Sequence, residues 1–245
     1  MRLFAIPYAF GNSNIYYELS KTISSEIELV PVEYSGHAQR YKEPLYHTMQ
    51  EIVDDVYHQI LPLLCDDYAL LGYSMGGTVC YELFQILVKN GHPLPKCIMA
   101  FGSTEPDFKH KNDKFESYNL EQVRNLLIEM DGTDLEVLNY DEVLEFVKPA
   151  IISDSVALRD YIPTSAQKGA LTVPLYVVRG EDEENLENCE KSWRGFCNSS
   201  FSYQLTPGKH FFMFENDGAR TSEFARMIEE MIAQSAEYKK KKCSQ

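Results

Sequence analysis

The sequence predicts an α/β fold in which a mostly parallel central sheet is flanked by helices. Short apolar runs typical of buried strands alternate along the chain with longer segments in which apolar residues recur every three or four positions. A helical stretch without strand signals interrupts this alternation at about 105–161, and the alternation then resumes up to a terminal helix. Strands that alternate with helices in this way form parallel sheets covered by helices.

The individual elements follow from these patterns. Strands are predicted at Leu3–Ile6, Glu28–Glu33, Tyr68–Gly72, Lys96–Phe101, Leu175–Val178 and Phe201–Leu205. Helices are predicted at Thr48–Leu64, Gly76–Asn90, Asp141–Lys148, Glu190–Phe196 and Ser222–Gln234. One more begins after Asn119, a candidate N-cap with Gln122 three residues further on. We expect a single domain over 1–245, with the insertion at about 105–161 acting as a lid and a disordered basic tail at about 238–245.

Length, net charge and the distribution of apolar residues exclude several classes of protein. The chain has 245 residues, of which 44% are hydrophobic, which suits one domain with a large core. Its formal net charge of −14 argues against nucleic-acid binding, which needs a basic surface. No apolar stretch approaches the roughly 18 residues of a membrane span. The first residues do not resemble a signal peptide, so we expect a cytoplasmic protein that stays out of the membrane.

The segment Gly72-Tyr73-Ser74-Met75-Gly76 matches the pattern G-x-S-x-G. It follows an apolar strand and opens an amphipathic helix, which is the setting of the nucleophile elbow in α/β-hydrolases. Glycines allow the strand and the helix to approach closely, and the helix N-terminus favours the negative charge that develops in acyl transfer. The alternative is an ordinary turn in which Ser74 caps the helix. We predict an α/β-hydrolase fold with Ser74 as nucleophile.

A serine nucleophile needs a base, and His210 is the histidine in a suitable position. In this fold the catalytic residues follow the chain order serine, acid, histidine. Of the six histidines, three precede Ser74, His92 directly follows the elbow helix, and His110 lies at the start of the predicted lid. His210 alone follows the last strand, in a turn. The alternative is a loop histidine without a catalytic role.

The acid is expected between them, at the end of a strand. The predicted strand Leu175–Val178 runs into four adjacent carboxylates, Glu181-Asp182-Glu183-Glu184. The acid must accept a hydrogen bond from the imidazole, which fixes its tautomer and stabilises the imidazolium. All four side chains are carboxylates, so their chemistry does not distinguish which of them is the acid. We prefer Asp182 and keep Glu181 and Glu183 as alternatives.

An oxyanion hole needs two backbone N–H groups. One is expected from Met75, the residue after the nucleophile, and the other from a loop after an early strand. The segment 7–12, which follows the first predicted strand, is the natural candidate, with Ala9 as its donor. The alternative for this segment is a plain turn.

Six segments resemble, in the correct order, the motifs of one enzyme family. They are Pro7-Tyr8-Ala9-Phe10-Gly11, Tyr34 to Arg40 followed by Glu43-Pro44, Gly72 to Gly77, the D-x(6)-Y spacing of Asp154 and Tyr161, Gly180-Glu181-Asp182, and Gly208-Lys209-His210-Phe211-Phe212. On these motifs the chain resembles the type II thioesterases, the stand-alone editing enzymes of nonribosomal peptide and polyketide assembly lines, such as those that make antibiotics. They are related to fatty-acid chain-terminating thioesterases. Two departures are Phe10, where the family has a glycine, and Tyr73, where it usually has a histidine.

The resemblance implies a triad of Ser74, Asp182 and His210 and an oxyanion hole of Ala9 and Met75. It implies hydrolysis, through an acyl-enzyme, of acyl thioesters on the phosphopantetheine arm of acyl or peptidyl carrier protein domains. The phosphopantetheine belongs to the substrate, so no metal and no cofactor of the protein's own are expected. We also expect a monomer.

Other functions fit the same residues. A carboxylesterase or lipase acting on small oxygen esters would use the same triad, and so would a medium-chain fatty acyl thioesterase. A binding module with a hydrolase fold and no activity is a third reading, but it has no need for a complete set of Ser74, Asp182 and His210.

Overall fold

The computed structural model describes residues 1–110, 113–130, 136–214 and 217–243, and a six-stranded sheet lies at its centre. The strands are β1 (Arg2–Ile6), β2 (Glu28–Pro31), β3 (Tyr68–Tyr73), β4 (Ile98–Phe101), β5 (Leu175–Gly180) and β6 (Phe201–Thr206). They lie in the order β2-β1-β3-β4-β5-β6, and every pair of neighbours is parallel. This confirms the predicted α/β architecture.

Helices connect the strands. They are α1 (Tyr17–Thr22), α2 (Met49–Ile60), α3 (Met75–Lys89), α4 (Leu120–Met130), α5 (Asp141–Arg159), α6 (Leu186–Phe196) and α7 (Asp217–Cys243). The predicted cap of α4 is present, because Gln122 N–H donates to Asn119 Oδ1 at 2.9 Å and Asn119 N–H donates to Gln122 Oε1 at 2.9 Å. These reciprocal bonds satisfy backbone donors that a helix N-terminus leaves unpaired.

Both faces of the sheet are covered by helices, and β1 shows why. Successive side chains of a strand point to opposite faces. Phe4 and Ile6 accordingly join one buried cluster with residues of α2, α3 and α6. Leu3 and Ala5 join a second buried cluster with residues of α1 and α7. A strand that is buried on both faces has a continuous run of apolar residues, and the sequence shows such a run at Leu3–Ile6.

The helices α4 and α5 lie in the insertion between β4 and β5. With Leu138 of the segment between them, they form a small apolar cluster composed of Val123, Leu127, Leu138, Leu144 and Ile151. The prediction that the second of these helices ends at Lys148 is wrong, because α5 continues through Pro149 to Arg159. A proline removes one backbone hydrogen bond, but the following turns bury Ile151, Asp154 and Ala157. Residues 111–112 and 131–135 of the predicted lid lie outside the described residues.

The terminal helix is longer than predicted. It runs from Asp217 to Cys243, so the tail at about 238–245 that was expected to be disordered is helical as far as Cys243. The last two residues lie outside the described ones. Within the described residues, no helix combines the length and the apolar character that crossing a bilayer requires.

The helix α3 approaches β1 so closely that Gly76 leaves no room for a side chain. A Cβ at Gly76 would lie 2.8 Å from the carbonyl oxygen of Pro7 and would collide with that of Ile6. We therefore expect Gly76→Ala to lower the free energy of unfolding by about 1–3 kcal/mol, the usual cost of forcing atoms into a packed site.

The matched control for this prediction is Gly195→Ala, also within a helix. There the atoms nearest to the new Cβ belong to the flexible side chain of Lys168, the first at 3.3 Å. Since alanine favours helix more than glycine does, no loss of stability is expected at this position. Urea unfolding of the two variants and the wild type measures the difference. Equal losses would contradict the close approach at Gly76.

Candidate active site

Ser74 lies in the turn between β3 and α3, in a conformation that few residues adopt. Its φ is +51° and its ψ is −116°. Two backbone hydrogen bonds hold it there: Ser74 N–H donates to the carbonyl of Phe101 at 2.7 Å, and Gly77 N–H donates to the carbonyl of Ser74 at 2.9 Å. Strained backbone persists only where the surroundings determine it in this way. The turn therefore gives Ser74 one fixed position at the carboxyl end of β3.

The glycines of the G-x-S-x-G segment are required by the sharpness of this turn. A Cβ at Gly72 would collide with the backbone of Gly76, across the turn from it. Tyr73, which replaces the histidine of the family motif, is buried, and its hydroxyl donates to the carbonyl of His210 at 2.6 Å. The tyrosine thus fixes the backbone of the candidate base.

His210 lies directly beside the serine. Its Nε2 is 3.0 Å from Ser74 Oγ, within hydrogen-bonding distance. Its side chain is 30% exposed, so the imidazole remains open to solvent and to a ligand. The structure therefore brings together the two residues that the sequence proposed as nucleophile and base.

The carboxylate on the other side of the imidazole belongs to Glu183. His210 Nδ1 lies 2.9 Å from Glu183 Oε2. Asp182 is exposed, and its backbone N–H donates to the carbonyl of Gly208 at 3.2 Å. The prediction of Asp182 as the acid is therefore wrong in this geometry, and Glu183, one of the alternatives, takes its place. The chain turns after β5 so that one carboxylate of the run points inward while its neighbour faces solvent.

Glu183 is held by a buried arginine that the sequence analysis did not single out. Arg179, only 4% exposed, donates to both carboxylate oxygens of Glu183, from Nε to Oε1 and from Nη2 to Oε2, each at 2.9 Å. Gly180 N–H donates to Oε1 at 2.8 Å. A paired charge of this kind fixes the carboxylate in both position and plane. An arginine inside an otherwise apolar strand, four residues before a carboxylate, is the signal that could have identified the pair.

The surroundings keep Glu183 ionised. Burial by itself raises the pKa of this carboxyl, but the hydrogen bonds from His210 and Arg179 and the charge of Arg179 outweigh it, and the pKa falls to about 2. At neutral pH the carboxylate therefore accepts a hydrogen bond from Nδ1–H of His210. That bond leaves Nε2 as the basic nitrogen facing Ser74.

Of the two predicted oxyanion residues, Met75 directly follows Ser74 in the chain, and Ala9 lies in a loop whose start contacts α3. Met75 is the first residue of α3, and its N–H belongs to the positive end of that helix. Ala9 lies in the loop after β1, which we call the oxyanion loop (residues 7–12), and α3 contacts the start of this loop at Gly76. Phe10, which replaces a glycine of the family motif, has a φ of +68°. The loop thus keeps a conformation that glycine favours, although a phenylalanine occupies the position.

An apolar cavity of about 580 Å³ borders the oxyanion loop and the turn that follows His210. Its lining includes Tyr8, Phe10 and Phe211, which are chain neighbours of Ala9 and His210. Much of the remaining wall comes from α4 and α5, with Leu127, Val143, Leu144, Phe146, Val147, Ala150 and Ile151, and Leu138 comes from the segment between the two helices. A pocket with mainly apolar walls next to a few polar groups is typical of a site for a small, largely apolar ligand.

Comparison with known proteins identifies relatives in the curated sequences and in the solved structures. The chain is similar to the gramicidin S biosynthesis protein GrsT of Aneurinibacillus migulanus, with 26% identity over 216 residues, which cover 88% of this chain and 84% of GrsT. It is also similar to the medium-chain S-acyl fatty acid synthase thioesterase of Rattus norvegicus, with 24% identity over 219 residues, which cover 88% and 82% of the two chains.

Solved structures show the same fold. The RedJ thioesterase from the prodiginine biosynthetic pathway in Streptomyces coelicolor superposes with a TM-score of 0.83 at 23% identity, covering 94% of this chain and 90% of RedJ. ClbQ from the colibactin NRPS/PKS pathway superposes with a TM-score of 0.82 at 26% identity, covering 94% and 97%. The family model of the thioesterase domain matches residues 1–232. The chain therefore belongs to the thioesterase family, as the order of its motifs indicated.

Proposed function

We propose that this thioesterase hydrolyses acyl thioesters carried on the phosphopantetheine arm of acyl or peptidyl carrier domains. The observation that carries the proposal is the alignment of Glu183, His210 and Ser74, together with an apolar cavity that Phe211, the residue after His210, helps to line. The cavity accommodates an acyl group and the aligned side chains supply the chemistry for releasing it. The similarity to proteins of gramicidin S and colibactin biosynthesis supports a carrier-bound substrate.

The first half of the reaction transfers the acyl group to Ser74. His210 Nε2 takes the hydroxyl proton as Ser74 Oγ attacks the thioester carbonyl. The backbone N–H groups of Met75 and Ala9 hold the oxyanion of the tetrahedral intermediate. Glu183 stabilises the imidazolium through Nδ1–H, and its low pKa means that it stays ionised while it does so. The C–S bond then breaks and leaves an ester on Ser74.

The second half releases the acid. A thiol has a pKa near 8.5, so the phosphopantetheine sulfur is a good leaving group, and it takes up the proton held on His210 Nε2 as it departs, which restores the neutral imidazole. His210 then takes a proton from water, which attacks the acyl-enzyme ester, and returns the proton to Ser74 Oγ as the carboxylic acid departs. Each half uses the same nitrogen and the same oxyanion donors, so no further side chain and no metal or cofactor is required.

The partners follow from the same proposal. The phosphopantetheine arm must enter past the oxyanion loop and the turn at His210, so the carrier domain docks at the edge of the sheet where these loops lie. The chain carries a formal net charge of −14, and long-range attraction to an acidic carrier is therefore absent. We place the enzyme in the cytoplasm as a monomer that recognises its carrier through local contacts.

The proposal is tested by single-turnover release of acetyl from an acetylated carrier domain. Wild type is expected to release acetate, whereas Ser74→Ala is expected to lose at least about 10³-fold in rate because the nucleophile is absent. Circular dichroism controls for the fold of the variant. Equal release by both proteins, or a strong preference of the wild type for p-nitrophenyl esters over thioesters, would contradict the proposal.

The identity of the acid is tested by two adjacent substitutions. Glu183→Gln is expected to lower kcat by about 10²- to 10⁴-fold because the imidazole loses its ionised partner. Asp182→Asn removes an equal charge one residue away and is the matched control, expected to stay within about twofold of wild type because the side chain is exposed. Steady-state hydrolysis of an acyl-N-acetylcysteamine thioester measures both. A larger loss in Asp182→Asn would return the role to Asp182.

The position of the acyl group is tested at Ala150, a small residue in the cavity wall. Ala150→Phe fills part of the cavity, so kcat/KM for an octanoyl thioester is expected to fall by about tenfold or more, which corresponds to a few lost methylene contacts. Turnover of the acetyl thioester, which needs little of the cavity, serves as the internal control. An equal loss for both substrates would show that the acyl chain does not occupy this cavity.

A further inference from the structure

A buried carboxylate of helix α5 contacts the oxyanion loop. Asp154 is fully buried. Its Oδ2 accepts a hydrogen bond from Phe10 N–H at 2.8 Å and lies 3.1 Å from His37 Nε2. Its other oxygen, Oδ1, is buried and has no hydrogen-bond partner among the described residues. A buried charge with so few partners is costly, so its retention calls for a role beyond packing.

His37 is the side-chain partner of Asp154. Its Nδ1 lies 2.9 Å from the carbonyl of Ser35, which can only accept, so Nδ1 carries a proton. Burial lowers the pKa of His37, but the hydrogen bond and the charge of Asp154 outweigh it and raise the pKa above its ordinary value. Asp154 and His37 thus form a buried pair, and Phe10 N–H donates to the carboxylate of that pair.

The hydrogen bond from Phe10 acts on a strained residue. A non-glycine residue at a φ of +68° is disfavoured, because its Cβ crowds the backbone. A charge-assisted bond to a buried carboxylate is strong enough to maintain such a conformation. The peptide group that Asp154 holds joins Phe10 to Ala9, the residue whose own N–H is the second oxyanion donor of the proposed mechanism.

We propose that Asp154 is a positioning residue that ties the oxyanion loop to helix α5, so that Ala9 N–H points into the oxyanion hole. This inference rests on the proposed function of Ala9 and Met75. Ala150 and Ile151, which belong to the same helix as Asp154, line the cavity. The helix that bounds the acyl site therefore also sets the geometry of the hole.

Ser153, the preceding residue, offers a matched control. It is also buried in α5, and its hydroxyl donates to the carbonyl of Tyr46 at 2.7 Å. That bond attaches the helix to the body of the protein without touching the oxyanion loop. Substitution of Ser153 therefore removes one buried anchor of α5 and leaves the contact with Phe10 in place.

The test compares Asp154→Ala with Ser153→Ala on a hexanoyl-N-acetylcysteamine thioester. For Asp154→Ala we expect kcat to fall by about 10- to 100-fold, somewhat less than the loss of a whole oxyanion donor, with little change in KM. Affinity for a hexanoyl trifluoromethyl ketone, whose adduct with Ser74 places an oxyanion in the hole, should fall by the same factor. Ser153→Ala should keep kcat and the affinity for the ketone within about threefold of wild type. Its melting temperature is expected to fall, because the variant loses a buried hydrogen bond.

A second variant tests how Asp154 acts. Phe10→Gly added to Asp154→Ala is expected to recover part of kcat, because glycine adopts the positive φ without strain. No recovery would overturn the claim that Asp154 works by holding Phe10. If Asp154→Ala does not fold, the isosteric Asp154→Asn replaces it, with a smaller loss in kcat at nearly constant KM.

The outcomes separate this inference from the proposed function. If wild type hydrolyses the thioester and Asp154→Ala matches Ser153→Ala in kcat and in ketone affinity, the positioning role is overturned while the proposed function stands. If wild type does not hydrolyse the thioester at all, the proposed function is overturned, and the role of Asp154 with it.

Discussion

The strained turn at Ser74 is the constraint on which the rest of the site depends. It forms because Gly72 lets α3 start close to β3 and Gly76 lets the same helix approach β1. A backbone bond to β4 and one within the turn maintain it. The turn lies at the carboxyl ends of parallel strands, where the loops of an α/β sheet converge. The loops that carry Glu183 and His210 leave β5 and β6 at this edge, so the sheet itself brings the three side chains together.

The charges behind the serine form a short chain through the protein interior. Arg179 neutralises Glu183, and Glu183 in turn orients His210. A buried carboxylate facing only an imidazole would be costly to ionise, and its pKa would rise with burial. The permanent charge of the guanidinium removes this cost, so the carboxylate remains an acceptor for Nδ1–H. Breaking such a buried pair by removing one member leaves an uncompensated charge, which is strongly destabilising.

The insertion contributes to the site in two ways. Its helices α4 and α5 supply much of the apolar wall of the cavity, and α5 carries the carboxylate that binds the backbone of Phe10. The phenylalanine at a position of positive φ is therefore a departure from the family motif that the tertiary contact makes tolerable. A single helix thus connects the apolar cavity with the loop that carries Ala9 and Phe10.

The sequence by itself determined the secondary structure around Ser74. The tertiary structure decided which of the adjacent carboxylates, Asp182 or Glu183, contacts His210. Strand, turn and helix around Ser74 were predictable because a buried strand, a glycine turn and an amphipathic helix each leave a local pattern. The choice of Glu183 over Asp182 was not, because adjacent carboxylates carry the same signal and differ only in which one the turn after β5 directs inward to Arg179. The continuation of α5 beyond Pro149 could not be predicted from the sequence either. Proline disfavours the interior of a helix, but the later turns of α5 are buried, and this burial outweighs the cost. The local sequence therefore indicates which residues can react, whereas the packing around a side chain determines the direction in which it points.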